Sequence, residues 1–92
     1  METFGEYIRR AREEKGLPLR KVAAALDIDT SILSKIERNE RRATTKMITI
    51  LSKTLDKSEK DVQIQYIQSV VITDFGKLKY LKIGLKEILK IL

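Results

Sequence analysis

The stretch Asp27–Arg42, DIDTSILSKIERNERR, brings three hydroxyl residues, one lysine and three arginines into sixteen positions. Thr30, Ser31 and Ser34 carry hydroxyls that both donate and accept. Lys35 carries a compact cation, and Arg38, Arg41 and Arg42 follow with forked guanidinium donors. Such a set can hold a polyanion and match a pattern of donors and acceptors. It cannot support thiol or imidazole catalysis, because the chain has no cysteine and no histidine. The same absence removes disulfides and thiolate or imidazole metal sites. Glu13 and Glu14 are not a working carboxylate pair, since adjacent helical residues do not face each other. Asp27 and Asp29 suit a turn and a helix cap. The expectation is a binding protein and not an enzyme, with no metal and no cofactor.

Composition bounds the rest. A chain of 92 residues makes one small domain that buries a modest core. Lys plus Arg number 19 against 13 acids, a net charge of +6. That excess suits nucleic acid and equally suits a merely soluble basic protein. All seven arginines lie at or before Arg42; beyond it the only strong cations are lysines, and the tail is aliphatic. The first residues, METFGEYIRRAREEKG, have no apolar core of the signal-peptide kind, and no run approaches a membrane span. A soluble cytoplasmic protein with no membrane partner is expected.

Helices must position these side chains. Thr3 with Glu6 fits a capping box that starts a helix near Phe4, with Phe4, Ile8 and Ala11 on one face, Tyr7 beside it, and Gly16 as the stop. Pro18 can open a second helix whose inner face is Val22, Ala23 and Leu26. Asp27 breaks it, and Asp29 can cap a third helix, Thr30 to Arg38, which Asn39 ends in a left-handed turn. Thr44 is the expected cap of a fourth helix through Leu55, with Met47, Ile48, Leu51 and Leu55 inward. Ser58 with Asp61 resembles another start. VQIQYIQSVVI is ambiguous: Ile64, Ile67 and Val71 fit a helix, while Val62, Ile64 and Tyr66 alternate as in a strand. It is read here as helix. Asp74 is the expected cap of a last helix from Phe75 to the end.

Two short helices joined by a tight turn, the second with hydroxyls and a lysine outward, make a helix-turn-helix pattern. Short side chains suit a face lying close to base edges. Leu33 and Ile36 can plug into Val22 and Leu26, with Ala23 small at the closest approach. From about Phe4 to Leu55 the sequence resembles the phage-repressor, Cro and Xre-type helix-turn-helix family, on GLPLRKVAAALDIDTSILSKIERNERR followed by MITILSKTLD. The resemblance implies an all-α fold: a five-helix repressor-like domain, here with an additional C-terminal amphipathic helix. It implies that the third helix enters the major groove of double-stranded DNA, with Thr30, Ser31 and Lys35 facing the bases and Ile32 near a thymine methyl. Arg38, Arg41 and Arg42, with Arg20 and Lys46 as weaker candidates, would meet phosphates. Arg12 and Glu37 match the positions of a structural ion pair in the family. The chain departs from the family at Pro18-Leu19, where Ser-Gln is usual, at Asp27 and Asn39, where glycine is common, and at Ala43, where proline is frequent. Leu19 cannot make the glutamine's DNA contact.

The tail has its own spacing. Leu78, Leu81, Leu85, Ile88 and Leu92 step by 3, 4, 3 and 4, the seam of a short coiled coil. Residues 1–72 are therefore expected to form the DNA-binding domain and residues 73–92 a dimerisation helix using Leu78, Leu81, Leu85 and Ile88, with help from Ile64 and Ile67. The same spacing also allows a helix folded back on its own domain, or a basic amphipathic helix at a membrane surface. The functional expectation is a sequence-specific transcriptional regulator, a homodimeric repressor on a near-palindromic site, with no small-molecule ligand. The alternative is a protein-interaction module of the same fold, or a non-catalytic partner of a DNA-modifying enzyme, without specific DNA readout.

Overall fold

A computed structural model describes residues 1–92. The chain is all-helical, with α1 Phe4–Glu14, α2 Leu19–Leu26, α3 Thr30–Glu37, α4 Met47–Thr54, α5 Glu59–Phe75 and α6 Leu81–Ile91. Helix α2 packs on α3 and α4, α1 on α3 and α5, and α4 on α5. The buried apolar residues form one cluster, which runs in sequence from Phe4 to Val62 and includes Ile8, Val22, Leu33 and Leu51 at its centre. Burying side chains of this size supplies roughly 1.5–3 kcal/mol each against the entropy of ordering the chain.

Local chemistry sets the boundaries. The capping box at α1 is complete: Thr3 Oγ1 accepts from the Glu6 N–H, and Glu6 Oε1 accepts from the Thr3 N–H. Gly16, Asp27, Asn39 and Asp56 take the left-handed conformation that ends their helices or turns. The Ser58 side chain caps α5 by accepting from the Asp61 N–H.

Several expectations need correction. Pro18 sits at the cap of α2, one residue before the first turn. The Asp29 side chain makes no cap bond to α3; its backbone carbonyl alone accepts from Ile32 and Leu33. Thr44 is not a cap either: its carbonyl belongs to a separate turn, and α4 starts three residues later at Met47, which is only half-buried. Residues 60–73 are helix, as read from the sequence; the inward stripe is Val62, Tyr66, Ser69 and Val70, and Ile64 and Ile67 lie on the exposed side. Asp74 does not cap the last helix. Helix α5 continues through it to Phe75, and α6 starts at Leu81.

Helix α6 contributes no buried residue. Its Leu81, Leu85 and Ile88, with Leu78, instead line an apolar groove of 470 Å³ shared with Val71 and Phe75 of α5.

Candidate nucleic-acid interface

The α2–α3 unit is held together from inside. Ala23 is 1 % exposed, and its carbonyl accepts from the Ile28 N–H at 3.0 Å, which closes the turn through left-handed Asp27. Leu33 and Ile36 bury the inner face of α3. The same periodicity pushes Thr30, Ser31 and Lys35 outward, all exposed, with Ile32 half-buried beside them. Ser31 and Lys35 lie one turn apart on a common face. Small hydroxyls next to one flexible cation give a low surface that can approach base edges closely and still donate and accept.

Glu37 fixes the back of α3. Its carboxylate takes both arms of Arg12, Nε to Oε2 at 2.8 Å and Nη2 to Oε1 at 3.0 Å, while Arg12 Nη1 donates to the Leu17 carbonyl at 2.9 Å. The side chains are only 12 % and 5 % exposed, so this forked pair is interior. Its hydrogen bonds to Glu37 raise the Arg12 guanidinium above its ordinary range against the opposing effect of burial. Neither residue is free to meet DNA, as the sequence reading held.

The end of α3 rests on the start of α1. Asn39 Oδ1 accepts from the Gly5 N–H at 3.3 Å, and its Nδ2 donates to Thr3 Oγ1 at 2.7 Å. A Cβ on Gly5 would lie 2.3 Å from the Ile36 carbonyl oxygen and 2.6 Å from that of Glu37, so only glycine permits this approach.

The basic candidates divide into two groups. Arg20, Lys35, Arg41 and Lys46 are exposed and have no carboxylate partner. Arg38 is engaged by Glu40 and by the Ser34 hydroxyl, and Arg42 by Asp74 near the end of α5. Glu40 is thus the paired acid that a basic cluster can tolerate, and the Arg38 hydrogen bond holds its carboxyl below the usual range. Ala43, next to Arg42, is buried, and its carbonyl accepts from the Tyr66 hydroxyl at 2.7 Å. Leu19 packs against the core, consistent with its inability to replace a contacting glutamine.

Asp74, Tyr66, Ser69 and Gly5 were not marked by the sequence as supports of this surface. Ser69 accepts from the Phe4 N–H at 3.0 Å in the interior, and Tyr66 and Asp74 tether the loop after α3 to α5. The one available signal was Asp74 itself. Near a helix C-terminus a carboxylate opposes the helix dipole, so it needs another reason to be there.

The Helix-turn-helix family model matches residues 8–62, more than half of the chain. The sequence is similar to the HTH-type transcriptional regulator PrpR of Mycobacterium tuberculosis, 32 % identical over 78 residues. That match covers 78 % of this chain but only 16 % of PrpR, a much longer protein. The fold resembles the crystal structure of the clp gene regulator ClgR from C. glutamicum, with a TM-score of 0.62 and 29 % identity over 74 % of this chain and 88 % of that one.

Proposed function

Because the chain belongs to the Helix-turn-helix family, we propose that it is a DNA-binding transcriptional regulator that inserts α3 into the major groove. The observation that carries this is the division of α3 into a locked inner face and an outer face of Thr30, Ser31 and Lys35, flanked by the unpaired cations Arg41, Lys46 and Arg20. On this proposal Thr30, Ser31 and Lys35 read base edges, and Ile32 meets a thymine methyl. Arg38, Arg41, Arg42, Arg20 and Lys46 meet phosphates, which set register without carrying sequence information. We further propose a homodimer, built through the apolar surface of α5 and α6, that represses by occupying a near-palindromic site. The exposed apolar residues Ile64, Ile67, Leu78, Leu85 and Ile88 support the dimer.

Replacing Lys35 by alanine tests the assignment. Affinity for the preferred site is expected to fall by about 1–3 kcal/mol, with relaxed preference at one or two base pairs. Arg41→Ala is expected to weaken all sequences alike and to lower the salt dependence by about one ion. A Lys35→Ala protein with unaltered affinity and preference, measured by titration of labelled duplexes, removes Lys35 from base reading.

A second reading draws support from Leu19, which is packed against the core where the family often places a DNA-contacting glutamine. It makes the chain a protein-interaction module of the same fold. Weak duplex binding that is indifferent to sequence would favour it.

A further inference from the structure

Among the cations beside α3, Arg42 is bound by a carboxylate that comes from far along the chain. Its Nη2 donates to Asp74 Oδ1, thirty-two residues later and in the last turn of α5. Three features make the contact more than a chance surface pair. The backbone beside Arg42 is fixed, because Ala43 is buried and its carbonyl is held by Tyr66, also on α5. The carboxylate sits where the helix dipole disfavours it, and the last turn of α5 contains no basic residue to offset it. The bond uses one guanidinium arm and leaves the pair roughly half and one-third exposed, so a phosphate can reach the same donors.

We propose that Asp74 is a built-in competitor that occupies the phosphate-binding donors of Arg42 and so restrains binding to the DNA backbone. This rests on the DNA-binding function proposed above. An exposed ion pair is weak in water, so the exchange of carboxylate for phosphate costs little and the restraint is graded. Asp74 stands two residues before Gly76, where α5 gives way to the segment leading into α6.

The test compares Asp74→Asn with Asp56→Asn, which removes the same charge from an exposed left-handed turn that asparagine tolerates and where no ion pair is made. Each is made in the full chain and in an Arg42→Ala background. Two probes are used: a short duplex of arbitrary sequence, titrated at several salt concentrations, and a heparin column eluted with salt. Asp74→Asn is expected to tighten duplex binding about two- to five-fold and to steepen its salt dependence by about one ion. It should elute later from heparin than Asp56→Asn, and its excess over Asp56→Asn should vanish with both probes in the Arg42→Ala background. A gain equal to that of Asp56→Asn, an excess over Asp56→Asn that survives Arg42→Ala, or no gain at all overturns the proposal. If the wild-type chain binds no duplex, the DNA-binding function fails. The heparin elution order then still decides whether Asp74 withholds Arg42 from a polyanion.

Discussion

Glu37 is the only charged residue among the buried ones. Both its oxygens face Arg12. Removing one partner strands the other charge in the interior, so Glu37→Ala is expected to cost about 3–5 kcal/mol in urea denaturation. An unchanged denaturation midpoint would show that solvent screens the pair. Tyr7 presents the opposite case. Its hydroxyl is buried with no hydrogen-bonding partner, and burial pushes its ionisation up. Tyr7→Phe removes an unsatisfied polar group and leaves the ring in place, so stability should stay level or rise by about 1–3 kcal/mol. A loss beyond about 1 kcal/mol would mean that the hydroxyl is satisfied in solution. The Arg12–Glu37 pair was legible because both residues matched known positions in a resembling family. The partners of Tyr66, Ser69 and Asn39 were not, because each mate lies more than twenty residues away.

Helices α1 to α3 were legible for a physical reason: the α1 cap, the stops and the apolar stripes are written in neighbouring residues. Thr3 with Glu6, Gly16, Asp27 and Asn39 each act within a turn of where they stand. Helix α5 was legible only as helix. Its inward face includes Tyr66 and Ser69, which apolar periodicity passes over, while Ile64 and Ile67, which share the helical spacing, are 40 % and 57 % exposed. The start of α6 was misplaced because Asp74 resembles a cap when read locally, while its carboxylate is taken by Arg42. The boundary between α5 and α6 sets the deletion that tests the dimer. Ending the chain after Gly76 keeps α5, the Asp74 contact and every buried apolar residue. That protein is expected to stay helical and fold cooperatively but to sediment as a monomer at micromolar concentration, where the full chain sediments as a dimer. A shortened chain that still dimerises would move the interface to the exposed side of α5.

The whole molecule is less compact than its length requires. Its radius of gyration is 14.3 Å, against about 12 Å for a compact chain of this size. The excess reflects an extent of 41 Å along one axis and a C-terminal helix with no buried residue. On the proposed function, one surface of this molecule meets a polyanion and another, aliphatic, serves association. On the proposed function, pairing two copies across the aliphatic surface sets two α3 helices about 34 Å apart, one turn of DNA. Selection of bound duplexes from a random-sequence pool tests this most directly. Two related half-sites, one helical turn apart, are expected to emerge. Lys35→Ala should blur the same base pairs in each half without altering their spacing. A pool that stays random after repeated rounds, under salt low enough to keep the protein bound, would contradict sequence reading by α3.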